Sequence, residues 1–141
     1  MRKILFAIFG AALLLCSCHK EVVPPVEPQL PVTFTNTAGD WRLVEWRGNT
    51  DVPATFVRLK DKEFVLWQSA GSMYPSKVTG SYNLVEEEGL GMIIRGMYDF
   101  TFEYWDHRYL VTSLTATKME WTSMDDPTDV SLYERTPDFP E

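Results

Sequence analysis

Residues 77–85 read KVTGSYNLV, and small or apolar residues alternate with polar residues along this stretch. One set is Val78, Gly80, Tyr82 and Leu84, and the other is Thr79, Ser81 and Asn83. A period of two is typical of a β-strand that buries one face and exposes the other. The stretch therefore predicts a strand with a hydrophobic core on one side.

The same period recurs on both sides of this strand, and no segment after residue 39 has helical periodicity. Further strands are predicted at 41–47, 55–60, 63–68, 90–95, 97–105, 109–114, 117–124 and 129–135. Turn residues separate them, and Asp61-Lys62 is predicted to form a hairpin turn. Eight or nine short strands in this order predict an antiparallel meander.

A meander leaves two exposed strand edges unless it closes on itself. The predicted fold class is therefore all-β, an antiparallel up-and-down barrel of eight strands, with a β-sandwich as the alternative. An eight-stranded barrel has room for its own side chains or for one small ligand. Residues 37–141 are predicted to form this domain.

The N-terminus has the features of an export signal. Arg2 and Lys3 precede an uncharged apolar run at 4–15, a length within the range of about 7–15 residues for a signal peptide and too short to span a bilayer. Leu15-Cys16-Ser17-Cys18 then resembles a bacterial lipobox. Small Ser17 before Cys18 favours lipidation there, whereas bulky Leu15 disfavours Cys16. Residues 1–17 are thus predicted to be a lipoprotein signal peptide.

Two other interpretations of the cysteines are weaker. A Cys16–Cys18 disulfide would close a small, strained ring, and a metal site needs more ligands than His19 adds. Acylated Cys18, carrying chains such as palmitate, would make the lipid bilayer a partner. Residues 18–36 are rich in proline and predicted to be a tether. His19, rather than aspartate, follows Cys18, which favours the outer membrane of the cell envelope.

Several short motifs fall on the predicted strands. They are Gly39-Asp40-Trp41 with Leu43, Gly80-Ser81-Tyr82, Leu114-Thr115, Lys118-Met119-Glu120-Trp121 and Tyr133-Glu134-Arg135. Together they resemble the small lipocalin-like lipoproteins of bacteria, over roughly residues 39–135. The resemblance implies a lipocalin-like barrel that holds a small apolar molecule. It also implies a structural pair, with Trp41 packed at the closed end under Arg135.

The sequence offers little that would support catalysis. It has no nucleophile elbow, phosphate loop or His-x-x-x-His pair. His107 is expected in a solvated turn beside Asp106, and the acidic residues at 125–129 lack the spacing of a calcium loop. A net charge of −7 disfavours nucleic acid as a partner. We therefore expect no enzyme, no cofactor and no metal site.

Aromatic residues are the candidates for function. Those expected to line a ligand site are Trp67, Tyr82, Phe100, Phe102, Tyr104 and Trp121. Gly80 and Ser113 are small enough to leave space between such rings, and Trp105 is expected on the surface as a contact residue. These features predict non-catalytic binding of a small hydrophobic or amphipathic ligand. The alternative is a protein–protein interaction module, an inhibitor or accessory subunit, with a filled barrel.

Overall fold

A computed structural model describes residues 26–71 and 73–141, and its eight strands form one closed antiparallel barrel in chain order. The elements are α1 Phe34–Thr37, β1 Gly39–Trp46, β2 Ala54–Lys60, β3 Glu63–Ser69, β4 Ser76–Glu87, β5 Gly91–Tyr98, β6 Tyr109–Leu114, β7 Lys118–Ser123 and β8 Val130–Arg135. The predicted up-and-down barrel is confirmed, and the alternative β-sandwich is not formed. The predicted signal peptide and both cysteines lie outside the described residues.

The alternating stretch forms the middle of β4. Gly80 and Tyr82 are buried, whereas Thr79 and Asn83 are exposed. The predicted hairpin between β2 and β3 is also present: Asp61 and Lys62 have φ angles of 53° and 64°. Positive φ at both central residues is the type I′ geometry, whose twist matches that of the flanking strands.

Closure of the barrel depends on the first and last strands. β1 pairs with β8, and Trp41 lies opposite Arg135 while Leu43 lies opposite Tyr133. This pairing gives both terminal strands of the meander a second neighbour and so covers their backbone hydrogen-bonding groups. The β1–β8 seam therefore joins residues almost a hundred positions apart.

Large side chains fill most of the interior. Trp41, Leu59, Phe64, Ile94, Leu114 and Met119 are each almost completely buried. Gly80 does not leave the expected space, because a Cβ atom added there would collide with the Phe64 ring. Ser113 does not leave space either, since its Oγ atom exchanges hydrogen bonds with Gln29.

The prediction of one strand at 97–105 is wrong. β5 runs without a break through Gly96 and ends at Tyr98. The chain then turns, with the Phe102 amide donating to the Tyr98 carbonyl at 3.0 Å, and runs back so that the Trp105 amide donates to the Gly96 carbonyl at 2.8 Å. Gly96 permits this return path, because the Trp105 ring occupies the space that a side chain at position 96 would need.

The prediction that residues 18–36 form a tether also needs correction, for the part of that segment that the structure describes. Leu30 donates its amide to the Leu114 carbonyl at 2.8 Å, and the Thr117 hydroxyl donates to Glu27 at 2.7 Å. Leu30, Val32 and Phe34 pack against the core. These apolar side chains bury surface that a free tether would leave in water, so the segment from Glu27 onward lies against the barrel.

Candidate functional site

The barrel has two different ends. The loops that follow β1, β3, β5 and β7 form what we call the open end. Helix α1 and the turns that follow β2, β4 and β6 form the closed end, where the N-terminal segment also packs. The two ends differ in packing, in the hydrogen bonding of their buried donors and in exposed apolar surface.

The closed end is filled and its polar groups are paired. Trp41 is fully buried, and its Nε1 atom donates to the Thr37 carbonyl at 2.9 Å. The Arg135 guanidinium carbon lies 4.2 Å from the Trp41 ring centroid. Its nitrogens donate to the Ala38 carbonyl at 2.7 Å and the Asn36 carbonyl at 2.9 Å. One arginine thus connects α1, β1 and β8.

The open end contains a cavity of about 190 Å³. It is lined by Val57, Phe64, Leu66, Tyr98, Trp105, Asp106, His107, Tyr109, Trp121 and Tyr133. Cavities for drug-sized ligands span roughly 300–1,000 Å³, whereas an apolar cavity of about 150 Å³ is known to bind benzene. The volume therefore suits a molecule with about one ring.

Six aromatic rings form most of the cavity wall. The Trp105 ring centroid lies 5.0 Å from that of Phe64 and 5.9 Å from that of Trp121. Trp121 in turn lies 4.8 Å from Tyr133 and 5.7 Å from Tyr109. Aromatic rings at these distances attract one another when tilted or edge-on. The sixth ring, Tyr98, lies 5.9 Å from Phe64. The wall is consequently a connected cluster of rings from β3, β5, β6, β7, β8 and the β5–β6 loop.

Trp121 leaves a polar atom unpaired in this wall. The residue is 4% exposed, and its Nε1 atom has no hydrogen-bond partner among the described residues. A buried donor without a partner costs about 1–3 kcal/mol. The atom has almost no accessible surface, so this donor is enclosed by the wall and is not presented to the cavity.

Burial keeps the tyrosines of the cavity protonated. It raises the pKa of Tyr109 to about 12, and it also raises the pKa values of Tyr133 and Tyr98 above the usual value for tyrosine. A tyrosine hydroxyl is already neutral at physiological pH at its ordinary pKa of about 10, and burial extends the neutral range of these three to higher pH. They can donate or accept a hydrogen bond without bringing charge into the cavity.

A histidine at the cavity mouth joins two loops of the open end. The Nδ1 atom of His107, in the loop after β5, lies 3.0 Å from a carboxylate oxygen of Asp125, in the loop after β7. The hydrogen bond with Asp125 raises the pKa of the His107 imidazole. Since both side chains are exposed, the contact is a small contribution to holding the loops together.

Two of the predicted ligand-site residues are buried inside the barrel. Trp121 lines the open-end cavity. Tyr82 is buried at the closed end instead, with its ring 5.4 Å from that of Phe34 and its hydroxyl 3.5 Å from Thr37. The structure therefore separates two residues that the strand pattern had assigned to one site.

Four of the predicted ligand-site residues lie outside the cavity. Trp67 faces outward from β3, with its ring 5.6 Å from Phe56. Phe100 is 99% exposed, Phe102 78% and Tyr104 58%. The expectation that these last three rings point inward is wrong, because residues 99–104 form a turn and a return segment rather than a strand.

The surface position expected for Trp105 is also wrong. Trp105 is half-buried and lines the cavity. Phe64, Tyr109 and Tyr133 were not among the predicted site residues, although the period of two could have placed them on inward faces. The sequence feature that could have indicated the inward position of Trp105 is Gly96. A lone glycine, however, does not indicate which side chain fills the space beside it.

Nothing found elsewhere identifies this site. Comparison with protein-family models, curated proteins and solved structures gives no match. Within 26–71 and 73–141, no three His, Cys, Asp or Glu side chains are grouped so that they could hold a metal ion. The same part of the chain contains no helix with the length and apolar character needed to cross a membrane.

Proposed function

We propose that this chain is a membrane-anchored lipoprotein whose barrel binds one small hydrophobic or amphipathic molecule without catalysis. The observation that carries the proposal is the open-end cavity, whose wall consists mostly of aromatic rings and includes a few polar residues such as Asp106 and Tyr109. Apolar walls with a few polar groups are the usual composition of small-molecule sites.

The lipobox sequence supports the anchor in this proposal, with acylated Cys18 in the outer membrane. Eight residue steps separate Cys18 from Val26, and an extended chain of that length spans at most about 29 Å. The described N-terminal segment joins the closed end, where Glu27 contacts Thr117. In this arrangement the cavity mouth lies at the end opposite the attachment point, which leaves it accessible to a ligand arriving from solution.

The test is to fill the cavity and compare it with a matched outward change. Leu66 lines the cavity, whereas its neighbour Val65 faces a surface hollow beside Arg58 and Lys60. Leu66→Phe should lower the affinity for single-ring probes such as indole and benzyl alcohol at least tenfold, measured by ligand-observed NMR. Val65→Phe should leave it unchanged.

Two results would contradict the proposal. One is the absence of any binding of these probes to the unmodified chain at millimolar concentration. The other is equal loss of binding in both variants, since a cavity site must distinguish the inward position from the outward one. Circular dichroism of each variant establishes that the barrel remains folded.

A second candidate function, docking of a protein partner, is favoured by the exposed aromatic rim. Phe100, Phe102 and Tyr104 project from the open end, and Asp99 and Glu103 alternate with them. A surface with apolar rings and negative charge complements a partner with apolar and basic side chains. The test places a photo-crosslinker at position 100, with position 88 in the turn after β4 as the control. This candidate replaces the first if position 100 crosslinks to one discrete basic protein, position 88 does not, and none of the ring probes binds.

A further inference from the structure

The open-end cavity has an aromatic wall with little positive charge of its own. Six of its lining residues are phenylalanine, tyrosine or tryptophan, and neither lysine nor arginine occurs among those that the structure describes. His107 is the one basic side chain in this set, and its Nδ1 atom lies 3.0 Å from a carboxylate oxygen of Asp125. The charge of a protonated imidazole is therefore compensated locally.

Asp106 adds a negative charge at the cavity mouth. The residue lines the cavity and is exposed, and no basic side chain in the described part of the chain forms an ion pair with it. Burial is the main reason why the pKa values of Tyr98 and Tyr109 are raised, and the charge of Asp106 raises both further. The negative potential that opposes a tyrosinate in the cavity attracts a positive ligand.

The loops around the mouth extend this negative potential. Within 26–71 and 73–141, the arginines in the loops after β1, β3, β5 and β7 are Arg47 and Arg108. The carboxylates in the same loops are Asp51, Asp99, Glu103, Asp106, Asp125, Asp126 and Asp129. A cleft surrounded by charge of one sign concentrates ligands of the opposite sign and speeds their association.

The aromatic wall can hold such a ligand after it loses water. A ring attracts a cation that lies over its face within about 6 Å of the centroid, and tryptophan does so most strongly. Trp105 and Trp121 both line the cavity, and their centroids lie 5.9 Å apart. In a volume of about 190 Å³, an occupant lies close to several of the rings at once. Their combined attraction offsets part of the desolvation cost of the cation.

The scarcity of acceptors selects the type of cation. A primary ammonium group has three N–H donors, and Asp106 is the one carboxylate among the described lining residues. A quaternary ammonium group has no N–H donor to satisfy, and its charge is covered by methyl groups that suit an apolar wall. A trimethylammonium group also has roughly the bulk of a single ring, which matches the cavity.

We propose that the open-end cavity binds a small quaternary ammonium ion, held against the aromatic wall and beside the carboxylate of Asp106. This inference rests on the proposed function and names the class of its amphipathic ligand. The rings contact the methyl groups, and Asp106 with the surrounding loops balances the charge. The positive charge distinguishes this ligand from neutral molecules that fill the same volume.

A pair of probes with the same shape isolates the charge. Choline has a quaternary nitrogen where 3,3-dimethylbutan-1-ol has a carbon atom. In ligand-observed NMR titrations, the full chain should bind choline about tenfold more tightly. Asp106→Asn should weaken choline binding at least about threefold and leave the alcohol unchanged. Asp51→Asn removes a carboxylate of the same end that does not line the cavity, and it should change neither affinity by more than about twofold.

A second measurement tests the contact with the rings. The methyl protons of choline should move upfield on binding, because protons over the face of an aromatic ring are shielded. Trp105→Leu should reduce both this shift and the affinity for choline, whereas Trp67→Leu, which removes an outward indole, should preserve them. A downfield shift would place the methyl groups at ring edges and would overturn the inference. Circular dichroism of each variant establishes that the barrel remains folded.

The remaining outcomes separate this inference from the proposed function. If the alcohol binds as tightly as choline, the assignment of a cation fails while binding of neutral molecules in the cavity stands. If choline binds more tightly but neither Asp106→Asn nor Trp105→Leu weakens it, choline binds elsewhere and the inference is overturned. If choline, the alcohol, indole and benzyl alcohol all fail to bind the full chain, the proposed function itself fails.

Discussion

Trp41 and Trp121 are both buried tryptophans inside one barrel, but their surroundings differ. Trp41, at the closed end, is 0% exposed, donates to the Thr37 carbonyl and lies under Arg135. Trp121, at the open end, is 4% exposed, lines a cavity and has no partner for Nε1 in the described chain. The same side chain thus contributes to stability at one end and forms part of an incompletely filled site at the other.

The difference between the two tryptophans indicates which substitutions each end of the barrel can tolerate. At the closed end every contact of the Trp41 ring is made within the chain, so loss of a partner lowers stability. At the open end an unfilled volume and an unpaired donor cost free energy in the isolated protein. An unpaired buried group in a native structure calls for an explanation, such as an ordered water, an ion or a functional role.

The largest effect is expected at the closed end. Arg135→Ala removes the cation–π contact with Trp41 and the hydrogen bonds to the carbonyls of Asn36, Ala38 and Ala116. We expect the free energy of unfolding to fall by about 2–4 kcal/mol, measured by urea denaturation. Binding of the ring probes at the open end should remain within about twofold, since the change is confined to the other end.

Arg42→Ala is the matched control for Arg135→Ala. Arg42 is an exposed residue of β1, and surface substitutions of this kind usually change stability by about 0.5 kcal/mol or less. If the two substitutions lowered the free energy of unfolding equally, the Arg135 contacts would not stabilise the closed end. The difference between the two ends would then be contradicted.

An effect of intermediate size is expected when the stability costs of substituting the two tryptophans are compared. Trp41→Phe leaves the Thr37 carbonyl without its donor, whereas Trp121→Phe removes a donor that is already unpaired. The first substitution should therefore cost about 1–3 kcal/mol more than the second in urea denaturation. A larger cost for Trp121→Phe would mean that its Nε1 atom is satisfied in solution, and the contrast between the ends would be lost.

The smallest effect concerns pH at the open end. The hydrogen bond to Asp125 raises the pKa of His107 above 6.5, so the folded state binds the proton more tightly than the unfolded state. The stabilisation is fully present below about pH 6.5 and is lost as pH rises through the folded pKa. His107→Gln should therefore differ most from the original chain in acid and converge with it at alkaline pH.

The direct measurement is an NMR titration of the His107 imidazole. Its midpoint should lie above 6.5 and should move down when Asp125→Asn removes the charged partner. The two side chains are largely exposed, so the accompanying change in the unfolding midpoint should be small. An unchanged midpoint in Asp125→Asn would show that the two loops are not linked through this pair.

The strand pattern was informative wherever neighbouring strands pair through regular hairpins. Alternation in 77–85 and the turn at Asp61-Lys62 both correspond to what the structure contains. The pattern failed at 97–105, where alternating aromatics imitate a strand. A local turn at Tyr98–Phe102 and the space above Gly96 outweighed the β propensity of these residues.

The tether prediction for the N-terminal segment was incomplete for a related reason. Prolines predict an extended chain, and the chain from 26 to 33 is indeed without regular secondary structure. Composition does not specify what an extended chain packs against. The contacts of Leu30 with Leu114 and of Glu27 with Thr117 depend on a β6–β7 turn that lies more than eighty residues away.

The sequence by itself determined most of the β-strands and their order, because a period of two and tight turns act over a few residues. It favoured a closed barrel but left a β-sandwich open, and the pairing of β1 with β8 decided between them. The tertiary structure alone decided which tryptophan is paired, which ring folds back over Gly96 and where a cavity remains. Those features depend on how side chains from five or more strands share one interior, and packing between residues distant in the chain has no signature in local periodicity.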